Sequence, residues 1–290
     1  MKHRIIYILF SALVAFSFTS DKPAYMLFNK KGQKTDYKKM LKDLQKADIV
    51  FFGEMHTDPI SHWMQYEITA DLYTDKKDKL VLGAEMFEAD NQLPIDEYLA
   101  GLYSAKKFEA EVKLWGNYKT DYKPVLDFAK EKGLKYIATN IPRRYASVVH
   151  KKGFEGMKKL SQEAKKYIGP DLEELYDKDV ACYANMMKMA GMGGHVNENF
   201  PKAQAAKDAT MAHFILKNRK DGELFFHFDG AYHSDNYEGI VWWIKQLQPE
   251  LKIKTISVQY QKDMTTLSEE NINRADYIIT VPESMTKTNR

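Results

Sequence analysis

Short apolar runs that alternate with longer helical patterns constrain the fold of this chain more than any other feature. Six of these runs have the length and composition of buried strands, namely 49–52, 80–83, 136–139, 224–228, 253–258 and 277–279. Runs of this kind separated by helices are typical of βαβ units, which form a mainly parallel sheet. Right-handed crossovers place the helices on both faces of such a sheet. The sequence therefore predicts an α/β fold.

The helix after the first run has the clearest signals. Asp58 can cap its amino end, and Pro59 suits its first position. Apolar residues then recur every four residues from Ile60 to Leu72, which indicates one buried face. Three more helical patterns cover 123–132, 203–218 and 236–248.

One stretch, at about 143–200, lacks the strand pattern and is helical and charged. It predicts a small helical subdomain inserted into an α/β domain that spans 21–290. Its second half is rich in methionine and tyrosine and contains Tyr176, Cys182, Tyr183, Met186, Met187, Met189, Met192 and His195. Methionine at helical spacing is usually core, but it also suits a soft wall for a large flat ligand. A haem would need an apolar slot, an axial Tyr, His or Met, and a basic group for its propionates.

Residues 1–20 have the pattern of a secretory signal peptide. Lys2 and Arg4 precede an apolar run from Ile5 to Phe18, which is short for a membrane span. An uncleaved amino-terminal anchor is the alternative interpretation. No cysteine lies near the cleavage region, so this pattern predicts an exported, periplasmic or cell-envelope protein that carries no lipid there.

Composition excludes several kinds of site. The single cysteine rules out a disulfide scaffold and a multi-cysteine zinc or iron–sulfur centre. The 43 Lys and Arg against 40 Asp and Glu give a formal charge of +3, without the concentrated basic excess expected of a nucleic-acid-binding protein. The phosphate-binding and nucleophile motifs GxGxxG, Walker A and GxSxG are missing. A catalytic or ligand-binding site in this chain is therefore expected to use His, carboxylate, Tyr or Met side chains.

The pattern Gly-x-x-His occurs twice directly after a predicted strand, ending at His56 and at His233. Ligand sites of open α/β sheets lie beyond the carboxyl ends of the strands, so both histidines are candidates. Glu54 belongs to the first loop, and Glu85 closes a neighbouring strand, where a carboxylate is costly to bury unless it is paired or metal-bound. These four residues predict a site for Mn, Fe or Zn, or an acid/base catalytic site. Helix caps and salt-bridged strand ends are the structural alternatives.

Two further polar positions accompany these loops. Arg143 follows the third predicted strand and is placed to bind a carboxylate or phosphate at the same edge, or to form an ordinary surface ion pair. His62 and Gln65 are three residues apart and share one face of the helix that begins at Pro59.

Six short motifs together resemble those of the ChaN family of iron-regulated haem-binding proteins, which is related to the TIKI and erythromycin-esterase-like proteins. They keep the family's order, cover about 47–258, and read here as Gly53-Glu54-Met55-His56, His62 with Gln65, Glu85-Met86-Phe87 with Asp90, Asn140 with Pro142-Arg143, Gln204 with Asp208 and Met211-Ala212, and Gly230 with His233. The resemblance implies an α/β domain with a small helical domain.

The resemblance also implies a homodimer that binds haem between its subunits through an axial tyrosine. It does not identify that tyrosine, and Tyr183 is our candidate because it lies in the apolar insert, with Arg143 as a second haem-binding residue. Lys207 stands where the family more often has Arg. The lipoprotein cysteine common among relatives is missing, which argues against membrane tethering through a lipid.

Two functions follow from these patterns. The first is an exported haem-binding protein of haem or iron acquisition, with haem and a second copy as partners and an association with a membrane haem-uptake system. The second is a metal-dependent hydrolase that holds a divalent ion at Glu54, His56, Glu85 and His233. The haem slot and the strand-end crevice can be different places, so the two functions are compatible. Nucleic acid is not an expected partner.

Overall fold

A mainly parallel sheet forms the centre of the protein. The structure is a computed structural model that describes residues 22–192 and 197–289, and in these ranges it contains one seven-stranded sheet. Its strands are β1 (Met26–Asn29), β2 (Ile49–Glu54), β3 (Leu80–Glu88), β4 (Lys135–Asn140), β5 (Leu224–Gly230), β6 (Ile253–Gln261) and β7 (Tyr277–Pro282). The order across the sheet is β1-β7-β6-β2-β5-β3-β4, and only the β1–β7 pair is antiparallel. The α/β prediction is confirmed, and all six predicted strands are present.

Helices connect the strands and cover both faces of the sheet. They are α1 (Tyr37–Leu44), α2 (Pro59–Lys76), α3 (Gln92–Leu99), α4 (Ala105–Glu111), α5 (Lys123–Lys132), α6 (Arg143–Lys152), α7 (Gln162–Lys165), α8 (Leu172–Leu175), α9 (Ala181–Met192), α10 (Asn199–Asn218) and α11 (Ile240–Leu247). As predicted, Asp58 caps α2 and accepts a hydrogen bond of 2.7 Å from the backbone N–H of Ile60. Among the described residues, no helix is both long and apolar enough to cross a membrane.

Two apolar cores lie on opposite faces of the sheet. Successive side chains of a strand point to opposite faces. In β2, Val50 and Phe52 therefore pack with α1, α2, α3 and α5, whereas Ile49 and Phe51 pack with α6, α9, α10 and α11. The helical stretch after Arg143 thus shares its core with the second face of the sheet.

The crossing pattern opens a crevice at one edge of the sheet. β2 and β5 are neighbours in its centre, but the chain leaves β2 toward β3 on one side and leaves β5 toward β6 on the other. Connections that depart in opposite directions leave a gap beyond the carboxyl ends of the strands. The predicted signal peptide at 1–20, His195, and the side chains of Met189 and Met192 lie outside the residues described.

Candidate functional site

A cavity of about 700 Å³ lies beyond the carboxyl ends of β2, β3 and β5. Residues of α6 and α10 form one wall, and Trp115 lies on another. Glu54, His56, Glu85 and His233 all line this cavity, as does Arg143, whereas Tyr183 does not. The predicted strand-end residues thus lie together around one cavity.

Glu54 and His56 form a hydrogen-bonded pair on one side of the cavity floor. The Nδ1 atom of His56 lies 2.8 Å from Oε1 of Glu54. The buried carboxylate of Glu54 also accepts hydrogen bonds from the Tyr122 hydroxyl at 2.8 Å and from the Gln65 amide at 2.5 Å. Glu54 is thereby fixed on three sides, and it orients the imidazole of His56, whose side chain is 27% exposed.

A second layer of polar groups supports this pair. His62 lies 3.2 Å from the Gln65 amide oxygen, 3.1 Å from the carbonyl of His56 and 3.3 Å from a carboxylate oxygen of Asp121. The amide of Asn117 donates to the His56 carbonyl at 2.8 Å. The motif residues His62 and Gln65 thus hold the loop in shape and do not line the cavity.

Glu85 and His233 form the other side of the floor, with Asp208 of α10 behind them. The Nε2 atom of His233 lies 3.3 Å from Oε1 of Glu85, and its Nδ1 atom is hydrogen-bonded to Asp208. The backbone N–H of Gly230 donates to the second oxygen of Glu85 at 2.8 Å. An imidazole whose two nitrogens both face carboxylates donates from both, which requires the protonated ring.

The ionisation of these groups follows from their surroundings. Burial lowers the pKa of His233, but the Glu85 and Asp208 carboxylates outweigh it and raise that pKa to about 10. Burial raises the pKa of Glu85, but His233, His56 and the Gly230 N–H together hold it well below its ordinary value. At neutral pH the floor therefore contains a fixed imidazolium–carboxylate pair.

This arrangement bears on the predicted metal site. Within 22–192 and 197–289, no group of three His, Cys, Asp or Glu residues is arranged to hold a metal ion. The four predicted ligands meet as two hydrogen-bonded pairs, and His233 has a carboxylate at each ring nitrogen. In this geometry the two carboxylates stabilise the protonated ring of His233, which donates from both nitrogens. The metal-dependent hydrolase hypothesis stays a prediction of the sequence.

Tyr183 is placed differently from the sequence-based expectation. It belongs to the second core, is fully buried, and its hydroxyl donates to Asp208 at 2.8 Å. The indole N–H of Trp243 donates to the same hydroxyl at 2.9 Å. With both partners satisfied inside the core, this hydroxyl has no open approach from the cavity. Its role in the structure is to hold Asp208 against His233.

Gly230 provides a close approach between the two sides of the floor. A Cβ atom at this position would lie 2.7 Å from Nε2 and 2.8 Å from Cε1 of His56. Contacts this short require the ring of His56 to move. The Gly230 backbone itself is extended and suits any residue, so its conformation does not require glycine. Glycine is therefore required here by space.

We expect Gly230→Ala to destabilise the fold by about 1–3 kcal/mol, the usual cost of overpacking, because the ring of His56 must move. Urea unfolding measures this cost. In the Gly230→Ala/His56→Ala double variant the ring is gone, so the cost of adding the Cβ atom should largely disappear. Strictly additive costs would contradict the contact with His56.

The rest of the cavity combines apolar walls with two cations and with polar side chains that include Glu88, Asn140, His150 and Gln204. Met86, Trp115, Ile141 and Phe200 contribute apolar surface. The side chains of Arg143 and Lys207 line the same cavity, and within the described residues neither forms an ion pair with a carboxylate. Tyr232 also lines the cavity and is 46% exposed. The site can thus enclose a large, mainly apolar ligand that carries negative charge.

Comparison with known proteins identifies the family. The sequence profile of a family described as haem-binding uptake, Tiki superfamily, ChaN matches residues 40–244. The chain belongs to this ChaN family of haem-binding uptake proteins. The family resemblance carried by the six motifs is therefore confirmed.

Solved structures support the same fold. The structure titled "Cofacial heme binding to ChaN of Campylobacter jejuni" superposes with a TM-score of 0.64, at 16% identity, over 88% of this chain and 96% of that one. A mutant of erythromycin esterase in its open conformation superposes with a TM-score of 0.51, at 11% identity, over 91% of this chain and 98% of that one. Identities this low establish the ChaN fold and carry no residue roles.

A curated plant protein shares part of the sequence. The chloroplastic protein RETICULATA-RELATED 5 of Arabidopsis thaliana is 26% identical over 200 residues, which is 64% of this chain. The match spans only 27% of that protein. The chain thus corresponds to about a quarter of the curated relative that it matches.

Sequence reasoning missed several residues that shape the site of this ChaN protein. Tyr122 reaches Glu54 from 68 positions away, and Trp115 reaches the cavity from the same segment. No local pattern marks either one, because Trp115 lies in a loop and Tyr122 ends a single π-helical turn, Tyr118–Tyr122. Tyr232 could have been predicted as a site residue, since it directly precedes His233 in the second histidine loop.

Proposed function

We propose that this protein binds haem in the cavity at the carboxyl ends of the strands, as an exported protein of haem or iron acquisition. The observation that carries the proposal is the pair of cations, Arg143 and Lys207, which lines a cavity with apolar walls and, within the described residues, forms no ion pair with a carboxylate. Haem carries two propionates on a large apolar ring, so both parts of the ligand have a counterpart. A volume of about 700 Å³ is within the range of cofactor sites.

The described residues of the cavity suit the binding of haem. Met86, Ile141 and Phe200 offer apolar contact to the ring, and the guanidinium of Arg143 suits a carboxylate in bidentate geometry. Haem, when bound, supplies an iron that takes a tyrosine, histidine or methionine side chain as axial ligand. Tyr232 is the tyrosine that the cavity offers, because it lines the cavity and is partly exposed.

In the free protein the Tyr232 hydroxyl donates to the carbonyl of Cys182 at 2.7 Å. Burial, together with the nearby Cys182 and Asp208, raises the pKa of Tyr232 to about 12. The phenol of Tyr232 is therefore neutral in the free protein, and an iron bound to its oxygen would displace the proton. This assignment replaces Tyr183, whose hydroxyl is enclosed in the core.

A homodimer remains part of the proposal. Phe200 and Tyr232 are 42% and 46% exposed although they line the cavity, so apolar surface is open to a partner there. The related Campylobacter jejuni structure is described by its title as binding haem cofacially. We infer that a second copy covers this face when haem is bound.

The proposal of export rests on the basic and apolar pattern of residues 1–20, and the proposal of a role in uptake rests on the family description.

Titration with haemin tests the proposal and its cationic contacts together. We expect saturable binding at micromolar protein, and an affinity about 10- to 100-fold lower in the Arg143→Gln/Lys207→Gln variant because two charge-assisted contacts are lost. Binding of haemin dimethyl ester, which lacks the two negative charges, should be unaffected by these changes. The matched control is Lys151→Gln/Lys152→Gln, which removes two exposed charges of α6 outside the cavity. An absence of haemin binding would refute the proposal, and equal losses for haemin and its ester would refute the cationic contacts.

A further inference from the structure

Exposed lysines are concentrated at the solvent face of α1, although the overall charge of the chain is nearly even. Four exposed lysines define this lysine face, namely Lys38, Lys39, Lys42 and Lys46. Together with Asp36, Asp43 and Tyr277 they line a shallow cleft of about 550 Å³. Lys38 and Lys42 are four residues apart on the exposed side of α1, whose Met40 and Leu44 are buried. Lys39 adjoins them, and Lys46 lies two residues beyond the end of the helix. A local cluster of lysine is thus present although the overall charge of the chain is nearly even.

The charges of the lysine face are only partly balanced by the protein, in which Asp43 interacts electrostatically with Lys46. The carboxylate of Asp36 is engaged as the cap of α1 and accepts the backbone N–H of Lys39 at 2.8 Å. The carboxylate of Asp43 is paired with Lys254 at 2.8 Å and accepts the Tyr277 hydroxyl at 3.0 Å. In the part of the chain that the structure describes, none of the four lysines of the face forms an ion pair. Four ammonium groups therefore point into solvent side by side.

The lysine face lies at the opposite end of the sheet from the haem cavity. Tyr277 is the first residue of β7, and Lys254 is the second residue of β6, so both mark the amino ends of parallel strands. The cavity lies beyond the carboxyl ends of the same sheet. A large partner bound at the lysine face thus leaves the cavity accessible.

We propose that the lysine face docks the protein onto an anionic phospholipid membrane through the phosphate groups of the lipids. Clusters of four or more lysines on an amphipathic helix are attracted to anionic lipid surfaces. Lysine acts as a compact point charge, which suits a fluid array of phosphates that imposes no fixed geometry.

The composition of the patch favours lipid over nucleic acid. Single-stranded nucleic acid is held by aromatic stacking and arginine in addition to charge. No arginine occurs in residues 30–46. The two tyrosines at the patch are committed, since the Tyr37 hydroxyl donates to Asp71 at 2.7 Å and that of Tyr277 donates to Asp43.

Vesicle co-sedimentation of the full chain tests the proposal. We expect binding to vesicles that contain phosphatidylglycerol, little binding to pure phosphatidylcholine, and loss of the difference in 0.5 M salt. The variant with Lys38, Lys39, Lys42 and Lys46 all changed to Gln should bind phosphatidylglycerol vesicles about 100-fold more weakly. The matched control changes the exposed and unpaired lysines at 106, 151, 152 and 178 to Gln, which removes the same charge elsewhere, and should bind as the native chain does.

Three results would overturn the proposal. They are equal binding to both kinds of vesicle, equal loss of binding in the two quadruple variants, and tighter binding to a DNA or RNA oligomer than to the vesicles. Inorganic phosphate, compared with sodium chloride at the same ionic strength, separates a membrane surface from a free phosphate site. Strong competition by phosphate at millimolar concentration would assign the cleft to a small anion and contradict membrane docking.

Discussion

The Tyr232→Phe variant is expected to bind haemin at least about 100-fold more weakly than the native chain and to give a different Soret spectrum. The change removes only the hydroxyl, so the apolar walls and the cations at Arg143 and Lys207 stay in place. The loss therefore reports the bond to the iron, because removal of a residue that only hydrogen-bonds to a metal ligand already costs 10- to 100-fold in metal affinity. Absorption titration at constant pH measures both quantities.

The pH dependence of binding separates ligation from packing. The pKa of Tyr232 is raised to about 12 in the free protein, so binding through the phenolate releases one proton at any lower pH. Affinity of the native chain should then rise with pH between 7 and 9, by up to about tenfold per pH unit. The Phe variant should lack this part of the slope. A slope that is the same in both proteins would contradict ligation by Tyr232.

Tyr183→Phe is the matched control, because the same atom is removed from a tyrosine that lies outside the cavity. We expect its haemin affinity and spectrum to match those of the native chain. Its stability should fall by about 1–3 kcal/mol, because the Trp243 N–H and one oxygen of Asp208 lose their buried partner. If instead Tyr183→Phe alters the spectrum and Tyr232→Phe does not, the axial ligand is Tyr183 and the cavity must open to reach it.

The strands and the floor of the site could be predicted because local patterns encode them. Buried parallel strands are continuous apolar runs, and polar residues at their carboxyl ends necessarily meet at one edge. Glu54 and Glu85 came together for this reason. The short edge strand β1 was missed because its four residues are only half buried and have no clear alternation.

Partners that meet across the fold could not be predicted. The position of Tyr183 in an apolar helix shows that it is buried, but periodicity does not show which side chains its hydroxyl meets. The link from Asp208 to His233 joins α10 to the loop after β5 across 25 positions. The protonation of His233 depends on that link. Two carboxylates therefore surround a histidine that the strand-end pattern alone predicts as a metal ligand.

Replacing Asp208 by Asn is expected to have the largest effect on stability, a loss of about 3–5 kcal/mol near pH 6. Asp208 is buried and supplies one of the two negative charges on His233, while its other oxygen accepts the Tyr183 hydroxyl. Removing one partner from a buried ion pair leaves the other charge poorly compensated, which typically costs this amount. Urea unfolding measures the loss. The control is Glu111→Gln, which breaks an exposed pair with Lys107 and should change stability little.

The size of the loss should depend on pH in a direction set by His233. Its pKa is about 10 in the folded chain and about 6.5 in an unfolded one, so the stabilisation is complete below pH 6.5 and disappears as pH rises through 10. Asp208→Asn removes one of the carboxylates that raise this pKa. The stability difference between native and variant chains should therefore be greatest near pH 6 and narrow toward pH 10. A difference that is constant over this range would show that Asp208 acts by packing and hydrogen bonding, and that His233 is neutral in the folded protein.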